Sequence, residues 1–263
     1  MVQAPSRRDR VRAATTQEIK QTARRILVRQ GSAAVTLRAI AREMGMTAPA
    51  LYRYFDSHEE LLKYVVADIF NEAGDAVQFA ITAAKTASAR DRDRDTDTDS
   101  AGDSTGDGAD DGDLTPIVIA ACRAFRRWSL DHPAEFGLIF GSPLPGLAIE
   151  HDDITAECGR RFGGTFLALI VELWQRRPFP VPADSEIEPG LREQLERYRQ
   201  GLGVDLPVGV MVTYLRCWVR LYGTVALEVF GHLSFALEDA SPMFEYFLAD
   251  TAPLLGLSPA PPG

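Results

Sequence analysis

Apolar residues recur at intervals of three and four along most of the chain. Ile19, Ala23, Ile26 and Leu27 form one stripe, which predicts a helix opened by the capping pair Thr15 and Glu18 and ended at Gly31. Ile40, Ala41 and Met44 form a second stripe behind a cap at Thr36, and Gly45 stops it. Glycine takes positive φ without a Cβ penalty, so a tight turn at Gly45 can place Met46 in the core and hand over to a further cap at Thr47. Pro49 then falls in a first helical turn, where its missing N–H is harmless, and Leu51 and Phe55 lie four apart on the buried side. Ser57 and Glu60 spell another capping box, followed by Leu61, Leu62, Val65, Val66 and Ile69, a stripe that continues through Phe70, Val77 and Ile81 to about Ala87.

The pattern then disappears. Residues 88–113 hold ten Asp and three Arg and nothing apolar larger than Ala, so this stretch cannot bury a core and is expected to be a disordered acidic loop. Gly102 to Gly106 has G-x-S-x-G spacing, but no strand precedes it and no helix follows, so Ser104 is not expected to be catalytic. Asp95, Asp97 and Asp99 imitate a calcium loop, yet Ser100 stands where glycine is needed and Gly106 where a bidentate acid is needed. From Leu114 onward helices and Pro/Gly breaks alternate. Leu114 to Asp131, Pro133 to Phe140, about Asp153 to Arg176, about Leu191 to Gln200, Pro207 to His232 and Pro242 to about Leu255 read as helices. The Pro-rich stretch Arg177 to Glu188 reads as a surface loop, and the tail Ser258 to Gly263 as frayed. No strand-like alternation competes, and the fold class is all-α. The domain boundaries expected are 15–75 for a three-helix head and 76–256 for a helical-bundle body.

Charge sharpens the picture. The chain of 263 residues carries −9 overall, but residues 1–60 hold eleven Lys or Arg against six Asp or Glu, a net +5, leaving −14 for the rest. The cationic part is the part with the closely spaced helices. Arg7, Arg8, Arg10 and Arg12 lie in a polar arm, 1–14, that can follow a phosphate backbone or enter a minor groove, or simply be solvated. Cys122, Cys158 and Cys217 are odd in number, far apart and without C-x-x-C spacing, as expected of core thiols in a reducing cytoplasm. Neither a signal-peptide pattern nor a membrane-length apolar run is present, so a soluble cytoplasmic protein is expected. The four histidines have no ligand spacing, and no paired carboxylates or nucleophile constellation occur, so the expectation is no metal, no cofactor and no catalytic residue.

Two helices joined by a glycine-containing turn of this length cross steeply, and the second can lie in a DNA major groove. The string Thr36-x-Arg38-x-Ile40-Ala41, Gly45-Met46-Thr47, Leu51-Tyr52-x-Tyr54-Phe55-x-Ser57-x-Glu59-Glu60-Leu61 resembles the N-terminal domain of the tetracycline-repressor (TetR) family of bacterial regulators over roughly residues 15–75. The resemblance implies a helix-turn-helix head on a body that binds ligand and dimerises. It also implies that Thr36, Arg38 and Tyr52 touch phosphates, while Thr47, Ala48, Pro49, Arg53 and Tyr54 form the exposed face of the recognition helix. Only Arg53 suits bidentate contact with guanine; Ala48, Pro49 and Ala50 offer close fit and contact with thymine methyls. The family's usual phosphate-contacting Lys is His58 here, a weaker contact when the ring is neutral.

His132-Pro133-Ala134-Glu135-Phe136 through Phe140-Gly141, and Trp218 through Tyr222-Gly223 to Gly231-His232-Leu233, resemble the WHG-type C-terminal domain of such regulators, with Tyr222 in place of the middle signature His. Trp128, Phe140, Trp174, Trp218, Tyr222 and His232 are the candidate lining of a pocket for a small apolar effector, with hydrophobic core and dimer seam as their other reading. The function expected is a DNA-binding regulator, a ligand-responsive repressor that holds a palindromic double-stranded operator as a homodimer. An α-helical enzyme or adaptor with an incidental helix-turn-helix is the alternative, and salt-dependent binding to a palindromic fragment separates the two.

Overall fold

A computed structural model describes residues 6–98, 113–141 and 153–258, the turns at 92–98 by backbone alone. The described residues form ten α-helices and no strand: α1 (Arg7–Gln30), α2 (Leu37–Glu43), α3 (Ala48–Leu51), α4 (His58–Thr98), α5 (Thr115–Asp131), α6 (Pro133–Phe140), α7 (Ile154–Arg176), α8 (Pro189–Leu202), α9 (Val208–Val229) and α10 (Ser241–Thr251). The all-α class follows, and the body helices begin and end within a few residues of where the apolar stripes and Pro/Gly breaks place them.

Two boundaries differ from the sequence reading. The first helix opens at Arg7 rather than Thr15, because Ser6 and Asp9 form a reciprocal capping box in which each accepts the other's backbone N–H. Thr15 therefore sits inside the helix, its hydroxyl donating to the Val11 carbonyl. The fourth helix runs to Thr98, beyond the expected end near Ala87. The remainder of the acidic stretch, 99–112, with the G-x-S-x-G spacing around Ser104, lies outside the described residues, as does the tail 259–263.

The chain divides into two compact units. One comprises residues 1–74 and 131–162; the other comprises 75–130 and 163–263. In the first, Ile19, Ile26, Ile40, Leu51, Leu61 and Ile69 are fully buried, so the stripes read from α1 to α4 meet in one core. The described residues 131–141 and 153–162, which the sequence reading gives to the body, pack here as well. Phe70 of α4 meets Phe140 edge-on with ring centroids 5.6 Å apart, and Phe140 packs against Phe136 and Phe162. The Arg24 guanidinium on α1 donates through Nε to Glu135 of α6 at 2.8 Å and grips Glu72 of α4 with both terminal nitrogens. Glu135 is only 4% exposed, and Arg24 is the cation placed beside that buried carboxylate. No local pattern announces this attachment, because it joins residues more than a hundred positions apart.

In the second unit Val77, Ile81, Phe125, Val210, Met211, Val225 and Phe244 are buried. The Phe125 ring packs against Phe166 and Trp218. Arg126 on α5 forms a fork with both oxygens of Glu228 on α9, at 2.5 and 2.7 Å, and reaches Ser241 at the start of α10. The bidentate geometry ties three helices at one point. Among the described residues no helix is long and apolar enough to cross a membrane, and no group of three His, Cys, Asp or Glu side chains is placed to hold a metal ion.

Candidate nucleic-acid interface

Local sequence builds the head's exposed face. The Thr36 hydroxyl caps α2 by accepting the Ala39 N–H at 3.2 Å, which leaves its own proton to donate outward. Arg38, on the same turn, is exposed. Gly45 takes φ +64°, the turn expected between α2 and α3, and the Met46 N–H closes it on the Ala41 carbonyl. α3 is a single turn with Pro49 near its start and Leu51 wholly buried, and a further turn carries Tyr52, Arg53 and Tyr54. Thr47, Pro49 and Arg53 are exposed and Tyr52 is 55% exposed, while Ala48 is half-buried. Ser57 then accepts the Glu60 N–H to start α4, and Glu60 reaches back to the Asp56 N–H rather than to that of Ser57.

Two residues gain roles that the sequence does not announce. The Arg12 Nη2 donates to the Arg53 carbonyl at 3.0 Å, and the same guanidinium lies 5.8 Å from the Tyr54 ring centroid. An arginine of the supposed polar arm thus sits in α1 and clamps the turn after α3. His58 turns inward: its Nε2 lies 2.5 Å from the Val35 carbonyl oxygen, an acceptor only, so Nε2 carries the proton and a neutral ring offers just the Nδ1 lone pair elsewhere.

The six candidates for an effector pocket do not converge. A cavity of about 60 Å³ lies in the second unit among α5, α7, α9, α10 and the chain after α10; its walls include Val118, Cys122, Phe166, Ile170, Tyr214, Trp218, Phe247 and Thr251. Trp218 is the one candidate on that wall. Tyr222 stacks on Trp218 from outside the lining, Trp128 is buried, and Trp174 packs edge-on against Phe179. His232 is exposed beside Phe230, and Phe140 belongs to the aromatic cluster of the first unit. The lining is mostly aliphatic, and a sequence search that favours aromatic faces passes over such residues. Burial pushes the Cys122 thiol up to about 12 and the Cys217 thiol up to about 11, and drives the Tyr214 hydroxyl well above its ordinary range.

Comparison with known proteins gives the following similarities. Residues 19–65 match the family model for bacterial regulatory proteins of the tetR family, and residues 118–251 match that for the tetracyclin repressor-like C-terminal domain. The HTH-type transcriptional regulators Mb1846 of Mycobacterium bovis and Rv1816 of Mycobacterium tuberculosis are each 32% identical over 214 residues, covering 81% of this chain and 80% of theirs. Among solved structures, SCO4313 superposes with a TM-score of 0.66 at 26% identity, covering 94% of this chain and 98% of its own. A protein of unknown function from Rhodococcus sp. RHA1 shares the fold, with a TM-score of 0.57 at 17% identity over 92% of this chain and 95% of its own.

Proposed function

Because this chain belongs to the tetR family of bacterial regulatory proteins, and is a DNA-binding transcriptional regulator, we propose that it is a cytoplasmic homodimeric repressor that holds a palindromic operator until a small apolar ligand enters its body. The observation that carries the reading is the head: exposed Thr47, Pro49, Tyr52 and Arg53 gathered on one short helix and turn, in the part of the chain with net positive charge. In this reading Thr36, Arg38 and Tyr52 hold phosphates, and Thr47, Ala48, Pro49, Arg53 and Tyr54 face base edges. In the same reading His58 reaches DNA through Nδ1, since Nε2 is committed to Val35.

Homodimerisation is supported by α9 and α10, which leave Val219, Leu227, Met243 and Tyr246 between 44% and 69% exposed. A two-fold seam covering these faces presents two recognition helices to half-sites roughly 34–36 Å apart, and a stiff dimer meets only one spacing at a time. Ligand response is supported by the cavity. At about 60 Å³ it is far smaller than the ~300–1,000 Å³ that holds a drug-sized molecule, so such a ligand binds only a conformer with parted walls. Because α4 contributes to both units, a shift at its later turns bears on its earlier ones, and by linkage operator DNA must weaken the ligand as much as the ligand weakens DNA.

The experiment is a mobility shift with a palindromic fragment found by unbiased selection, run across a salt series, with sedimentation in parallel. The expected result is one dimer per palindrome and an affinity that falls steeply with salt. A protein that stays monomeric at micromolar concentration, or binds one half-site as well as two, would overturn the dimeric repressor.

A further inference from the structure

None of the residues that line the cavity carries a charge. An ionic ligand would enter without a counter-ion and would lose its hydration for nothing. Two hydroxyls reach the wall. That of Tyr214 donates to the Gly163 carbonyl at 3.2 Å and is already satisfied. That of Thr251 is different: the residue is only 8% exposed, and its Oγ1 is buried with no hydrogen-bond partner. A helical threonine normally has a partner within reach, the carbonyl four residues back, and Thr213 in the same unit uses it, donating to Gly209 at 3.1 Å. Thr251 sits in the last turn of α10, on the wall of a cavity that is otherwise hydrocarbon, sulfur and aromatic. A buried polar atom left over in a folded protein calls for an explanation, and a ligand is one.

Resting on the ligand-responsive reading above, we propose that the cavity takes an uncharged ligand with a hydrocarbon body and one hydrogen-bond acceptor, a ketone or ester oxygen, to which the Thr251 hydroxyl donates. The apolar body replaces cavity surface and forces the walls apart; the acceptor fixes which way round the ligand lies. α10 and the turns that follow supply Phe247, Leu248, Thr251, Ala252, Leu255 and Leu257 to the lining, so orientation at Thr251 bears on the segment that makes one whole side of the cavity.

The test uses the full-length protein and four probes of one chain length: octan-2-one, octane, octanoate and octylammonium. Binding is measured by calorimetry on wild type, Thr251→Val and Thr251→Ser, with operator affinity followed alongside. Thr251→Val keeps the shape and removes an unsatisfied group, so the fold should persist. Octan-2-one should bind wild type and Thr251→Ser alike and bind Thr251→Val roughly tenfold more weakly, while octane should bind all three alike. The inference is overturned if Thr251→Val leaves ketone binding unchanged, if octanoate or octylammonium binds better than the ketone, or if neither neutral probe binds. Release of operator by octanoate but not by the ketone would sink this ligand class and leave the regulator intact. Ketone binding with the stated Thr251 dependence and no effect on operator would do the reverse.

Discussion

Replacing Arg12 with alanine should weaken operator binding by roughly 5- to 30-fold although Arg12 need not touch DNA. The variant loses a charged donor to the Arg53 carbonyl and a cation over Tyr54. Both contacts are solvent-exposed, so each belongs at the low end of its class, about 0.5–1 kcal/mol, and together they contribute about 1–2 kcal/mol. That energy holds a segment with little order of its own. α3 has four residues, well below the length at which a helix sustains itself, and the turn after it closes on Ala50 and Leu51 alone. Without the clamp the turn carrying Arg53 spreads over other conformers, and the affinity falls by the fraction still competent. The assay is fluorescence anisotropy of labelled operator at several salt concentrations. A direct phosphate contact contributes about 0.9 to the slope of log K against log salt; a clamp contributes to K but not to the slope. Arg12→Lys, which keeps the charge and loses the planar fork, should recover less than half of the lost binding energy. A slope reduced by about 0.9, with full recovery in Arg12→Lys, would show that Arg12 is a phosphate contact and that the clamp is irrelevant.

Arg24→Met should cost roughly 3 kcal/mol of unfolding free energy, read from urea midpoints, because it strands the buried Glu135 carboxylate; adding Glu135→Leu should restore most of it, and an additive double variant would deny the coupling. Cys122 and Cys217 should resist a thiol reagent in native protein at pH 8, well below the values near 12 and 11 to which burial pushes them, and react fully in guanidinium; rapid native modification of either would mean that their unit opens readily.

The elements most legible in the sequence are those whose ends are fixed by single residues. Thr36, Gly45 and Ser57 each leave the chain one good local option, and the structure uses all three. The start of α1 was equally local but written in Asp9 where Glu or Gln is the usual cue, and its first two turns are exposed on every side, so no apolar stripe marks them. The far end of α4 misleads for another reason. Composition argues against a core, but extending an existing helix avoids the cost of nucleation, and polar residues suffice for that. Cavities are harder still. Trp128, Phe140 and Trp174 are as large as a pocket residue should be, yet a cavity arises where volumes fail to match between helices distant in sequence, and no single residue type reports that. Arg12 and Arg53 lie 41 positions apart, beyond any local pattern.

The first unit is discontinuous, and that sets an order of events during synthesis. Ile19, Leu51 and Leu61 are all made by the time the ribosome reaches residue 75, but Glu135, Phe136, Phe140 and Phe162 are not. At ~5–20 residues per second, about 4–17 s pass before the last of them is made. Until residue 135 is made Arg24 lacks its buried partner, and until residue 140 is made Phe70 has none of its aromatic neighbours, so the nascent head carries an apolar face beside a half-paired cation. A gene fragment cut at residue 75 freezes the protein at that stage. It should yield a helix-turn-helix that is helical yet weakly packed, and that gains order when residues 131–162 are restored on a linker.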